Sequence, residues 1–79
     1  MTIDEAVAKM ESIILGVSAV AEVRALRISD EEARLTVLVP AGDIQAVKDA
    51  AFQPVMDFLI EGFDLQVLVY DRDNPTPSV

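Results

Sequence analysis

Apolar residues at Ile3, Val7, Met10, Ile14 and Val17, widened by Ala6 and Ile13, recur at the helical period. Thr2 and Glu5 have the spacing of a capping box, with the hydroxyl accepting from the Glu5 amide and the carboxylate reaching back to the Thr2 amide. Asp4 and Glu5 fall in the first turn, where the helix dipole favours anions. The pattern predicts a helix over 3–15, stopped at Gly16.

The periodicity then changes. Val20–Ile28 and Ala33–Val39 are rich in branched aliphatics and flank the polar run Ser29-Asp30-Glu31-Glu32. This reads as a β-hairpin. Leu35, Val37 and Val39 alternate with Arg34, Thr36 and Leu38. The first strand alternates less cleanly, because Leu26 and Ile28 fall on the side of Glu22 and Arg24. A short helix over 18–26 is the other reading. A three-residue loop at Asp30–Glu32 sets Ala25 against Val37 and Val23 against Val39, making one apolar face. A four-residue loop at Ser29–Glu32 sets Arg27 against Arg34, an unfavourable like-charge pair. The three-residue loop is preferred.

Pro40-Ala41-Gly42-Asp43 ends the hairpin, with Asp43 placed as N-cap of a second helix. Ile44, Val47, Ala51, Val55, Phe58 and Leu59 keep phase up to Gly62. The stripe continues across Pro54, which predicts one kinked helix, with two helices opened at Pro54 as the alternative. Phe63–Tyr70 is a third strand, with Phe63, Leu65, Val67 and Val69 on one face and Asp64, Gln66, Leu68 and Tyr70 on the other. Residues 1–71 make a single small domain, and the polar, proline-containing tail 72–79 is expected to be disordered.

The order α-β-β-α-β predicts an α+β fold: a two-layer sandwich in which a three-stranded sheet carries both helices on one face. The helices would bury Val23, Ala25, Leu35, Val37, Val39, Phe63, Leu65, Val67 and Val69. The third strand can sit beside the second in parallel or beside the first in antiparallel fashion. Leu26, Ile28, Leu38, Leu68 and Tyr70 then belong to the uncovered face, together with Arg24 and Arg34. An uncovered face should be polar, and this one is not.

Composition removes most chemistry. The 79 residues include no cysteine and no histidine, which excludes thiolate sites and the commonest general base and metal ligand. The serines therefore have no histidine to activate them, and no G-x-S-x-G surrounds any of them. The three glycines are isolated, so there is no phosphate loop. Asp71 and Asp73, with Asp64 on the same strand, could hold magnesium, but they read more simply as solvated acids. Asp30-Glu31-Glu32 reads as a hydrated turn. The expectation is no catalysis, no cofactor and no metal.

Net charge is −8, with 14 acids against 6 bases, the wrong sign for nucleic acid. No apolar run approaches the length of a membrane span, and the acidic N-terminus does not resemble a signal peptide. A cytoplasmic protein that binds neither nucleic acid nor membrane is expected. Mean hydropathy is +0.37, high for so small a chain.

The element order, with the strand Asp64-Leu65-Gln66-Val67-Leu68-Val69-Tyr70, resembles the later half of minimal nucleotidyltransferases. That family carries a Gly-Ser element after its first strand and a D-x-D on its second. Here those strands read Arg27-Ile28-Ser29 and Arg34-Leu35-Thr36-Val37-Leu38-Val39, so the resemblance implies a fold without the activity. KH-type RNA-binding domains share a similar order but need a Gly-x-x-Gly loop and a basic groove, and both are missing here. The sequence therefore points to a non-enzymatic protein–protein interaction module, a homodimer or an accessory subunit. Its interface would be formed by Leu26, Ile28, Leu38, Leu68, Tyr70, Arg24 and Arg34. An anion or small-ligand site built on the hairpin arginines is the alternative.

Overall fold

The structure, a computed structural model, describes residues 1–74. The expectation for the tail falls largely on residues 75–79, which lie outside the described residues. Arg72–Asn74 form a turn, and the Arg72 N–H donates to the Val39 carbonyl at 2.8 Å.

Helix α1 spans Ile3–Val17, with Thr2 as its N-cap accepting from the Glu5 amide at 3.2 Å. It buries Ile3, Ala6, Met10 and Ile14. Gly16 does not end it. The helix passes through and closes at Ser18, whose N–H donates to the Ile14 carbonyl at 2.9 Å. Asp43 takes the N-cap position of helix α2, Ile44–Ile60, as expected, but a single 3-10 turn, Ala41–Asp43, leads into it and the Asp43 side chain makes no capping bond. Its carboxylate instead accepts from the buried Ser18 hydroxyl at 2.8 Å, tying the end of α1 to the start of α2. Ser18→Ala and Asp43→Ala should each cost about 1–2 kcal/mol, and a double-mutant cycle in urea should show the two losses overlapping.

Helix α2 continues unbroken through Pro54. Its end follows the glycine rule that Gly16 did not: Gly62 has φ of 96°, its N–H donates to Leu59, and the Phe63 N–H donates to Phe58 at 2.9 Å. That paired closure reverses the chain into the last strand.

The sheet has strands β1 (Glu22–Arg27), β2 (Glu32–Val39) and β3 (Asp64–Asp71), in the order β1-β2-β3. β1 and β2 are antiparallel, while β2 and β3 are parallel, joined by the α2 crossover. The hairpin loop has three residues as expected, but they are Ser29–Glu31, because both Ile28 and Ser29 donate to the Glu32 carbonyl. Ala25 therefore faces Leu35, and Val23 faces Val37. This register is shifted by two from the expected one. A two-residue shift leaves every side chain on its original face, so hydrophobic alternation cannot choose between the two registers. Turn chemistry does choose: the Ser29 hydroxyl accepts from the Glu31 amide at 3.2 Å, and Arg27 bonds Asp30 across the loop.

One core joins Ala33, Leu35, Val37, Val39 and Leu65 of the sheet to Ile3, Ala6, Met10 and Ile14 of α1 and Val47, Ala51 and Phe58 of α2. Val23, Phe63, Val67 and Val69 pack partly buried against it. Ala25 does not join the core. It is exposed on an edge strand, where its methyl group is too short to reach the helices. Among the described residues, no helix is long and apolar enough to cross a membrane.

Candidate interaction surface on the outer sheet face

Alternate residues of a strand project to opposite faces, and with the observed registers the even-numbered positions of all three strands share the outer one. Six of the seven expected interface residues therefore lie on one face, and Ile28 follows directly after the end of β1. They do not form one apolar patch. Leu38 stands beside Tyr70, and Leu68 lies one pleat along β3 beside Thr36, which makes one cluster over β2 and β3. Leu26 and Ile28 form a second cluster at the β1 edge, 59% and 45% exposed. Leu68 is exposed, while Leu38 and Tyr70 are half-buried.

A polar band separates the clusters. Arg24 pairs with Thr36, and Arg34 lies between Leu26 and Gln66. Arg34 is on the middle strand, so it occupies the centre of the face and not its rim. Its Nε–H donates to Gln66 Oε1 at 3.2 Å, and the Gln66 amide donates to Glu32 at 3.1 Å. Arg24 lies 3.8 Å from Glu22. These exposed contacts contribute little to stability, but they place a carboxylate close to each guanidinium or one link away.

The hairpin arginines do not converge. Arg27 is on the opposite face, where it lies 3.7 Å from Asp4 at the start of α1 and also pairs with Asp30. No described arrangement sets all three guanidiniums around one anion. The acids are equally dispersed. Asp64 and Asp71 stand at opposite ends of β3, and Asp71 uses its carboxylate to accept the Asp73 N–H at 2.9 Å. Among the described residues, no group of acids could hold a metal ion. An open groove between the helices is lined by Lys9, Ile13, Pro54, Asp57 and Phe58, but it pairs no base with a nucleophile.

Pattern reading missed a second apolar surface. Phe52, Met56 and Leu59 are 67%, 42% and 49% exposed on α2. The apolar arc of this helix is wider than the buried stripe of Val47, Ala51 and Phe58. The excess was visible as spacing of 4 and 3 residues alongside the core stripe. Which part of the arc the sheet would cover was not visible. No protein-family model, curated protein or solved structure matches this chain, and residue geometry alone carries the functional reading.

Proposed function

We propose that this protein is a non-enzymatic protein-interaction module that self-associates by stacking the outer sheet faces of two copies. The observation that carries this reading is the Leu38, Leu68 and Tyr70 cluster on the sheet face opposite the one that carries the core residues Leu35, Val37 and Leu65. Leaving such a surface wet forfeits about 25 cal/mol per Å² of apolar area, and a facing sheet at about 10 Å recovers it. Arg24 and Arg34 interleave with Glu22, Glu32 and Asp64 on the same face, so a two-fold operation can bring opposite charges together. Aliphatic and tyrosine side chains with interspersed arginine match the composition of protein interfaces.

The test is sedimentation or light scattering at micromolar concentration on wild type, Leu26→Glu and Leu38→Glu. The expected result is a wild-type oligomer from which both variants remove one level of association, with the fold retained. Assembly unchanged in both variants overturns outer-face stacking.

A further inference from the structure

The two edges of the sheet differ in character. β1 carries Glu22, Arg24 and Arg27 within six residues, the charge placement that keeps a free edge from pairing. β3 carries charge only at its ends, and its interior, Leu65-Gln66-Val67-Leu68-Val69-Tyr70, has no charge, proline or glycine. Among the described residues no strand borders β3 on its far side. The backbone groups there have a known direction. Asp64 and Arg72 donate N–H to β2 or the loop before it, at Glu31 and Val39. Backbone direction alternates along a strand, so Leu65, Val67 and Val69 aim N–H and C=O at the open side. An uncharged strand of high β-propensity with an open ladder is a template for another strand.

The exposed α2 stripe flanks this edge. Pro54, Asp57 and Phe58 face α1 across the interhelical groove. At 100° per residue, Phe52, Met56 and Leu59 fall on the other flank of the helix. α2 packs on β3, so that flank overhangs the open edge.

We infer that the β3 edge, with Phe52, Met56 and Leu59 above it, is a second self-association surface whose occupant is β3 of another copy, paired antiparallel across a two-fold axis at Val67. A second copy fits because the flank is complementary to itself. Two chains of net charge −8 repel each other, but here they meet on uncharged residues, and the outward ladder groups of one β3 match those of another. The ladder sets the centre. Leu65, Val67 and Val69 supply the outward groups, so a hydrogen-bonded pairing must match these positions with one another, which places the axis on a residue. The Asp71–Asn74 turn lies on the open side, where Asn74 N–H donates to the Asp71 carbonyl at 3.1 Å, and it blocks any pairing past Tyr70. An axis at Val67 satisfies both conditions. Val67 meets Val67, Leu65 meets Val69, and the Asp64 carboxylate faces the Tyr70 hydroxyl of the other copy, with no like charges opposed.

This pairing makes a six-stranded sheet and joins the two outer faces along the axis. It goes beyond outer-face stacking and uses different residues, so a chain that uses both surfaces is a tetramer of dihedral symmetry.

The experiment measures the mass of the full chain by sedimentation, with Val67→Pro and Met56→Glu against Leu38→Glu. Val67→Pro removes an N–H that points away from β2, a position at which an edge strand tolerates proline. Met56→Glu is a surface change that keeps the test valid if the proline variant fails to fold. A tetramer reduced to a dimer by Met56→Glu or a folded Val67→Pro, and separately by Leu38→Glu, supports both surfaces. A dimer split by the edge variants alone supports this inference and overturns outer-face stacking. A dimer split by Leu38→Glu alone overturns this inference and leaves the stacking reading standing. A monomeric wild type overturns the inference.

Discussion

Val37→Asp should leave the chain unfolded at neutral pH, while Leu38→Asp, one residue further along β2, should leave it folded. Val37 is fully buried in the core shared by the sheet and both helices, whereas Leu38 is half-buried on the outer face beside Tyr70. A carboxylate at position 37 would have no cation or donor, and the effective cost of burying an unpaired charge is several kcal/mol. At about 0.05–0.15 kcal/mol per residue, a chain of this size has a total stability of roughly 4–12 kcal/mol. The penalty is therefore comparable with the whole stability. Far-UV circular dichroism and urea titration of the two variants provide the check. The opposite result, Leu38→Asp unfolded and Val37→Asp folded, would mean that the faces of β2 are reversed, and two equally folded variants would mean that position 37 is not in a closed core.

Leu35→Ala should destabilise the domain by about 2–5 kcal/mol. Leu35 is fully buried on the middle strand, flanked by Ala25 and Val67, so the cavity opens where neighbouring backbone on both sides limits collapse. For a domain of this length, each kcal/mol moves the melting temperature by about 4–8 °C, so a fall of roughly 8–40 °C is expected. Leu68→Ala removes the same atoms from an exposed position on the outer face and should cost well under half as much. Both are measured with the association state held fixed, because self-association raises apparent stability with concentration.

Particular elements show how far the pattern reaches. The faces of the hairpin were legible because pleating has a period of two: Leu35, Val37 and Val39 could not share a face with Leu38. Its register was not legible, because a slip of two preserves that pattern, and the Ser29 and Arg27 contacts in the turn decided it. Gly16 and Gly62 look alike as punctuation, yet only Gly62 takes a positive φ, because only there does the chain reverse tightly into a strand. Asp43 has the residue type of an N-cap, but the burial of Ser18 beside it diverts its carboxylate to a contact 25 residues away in sequence. α2 continues through Pro54 because its stripe stays in phase and packs on both sides of that residue.

The sequence by itself determined the element order, the α+β class, the residues on each sheet face and the shortage of catalytic groups. These follow from local periodicity and from which side chains the chain contains. Only the tertiary structure decided that β3 lies beside β2, because either sheet edge could accept the α2 crossover. That choice puts Arg34 at the centre of the outer face, brings Leu38 against Tyr70, leaves Ala25 on a thinly covered edge and makes the uncharged β3 an edge strand among the described residues. Periodicity assigns a residue to a face, but which residues become neighbours depends on strand order and register. Those are settled by contacts between segments far apart in the chain.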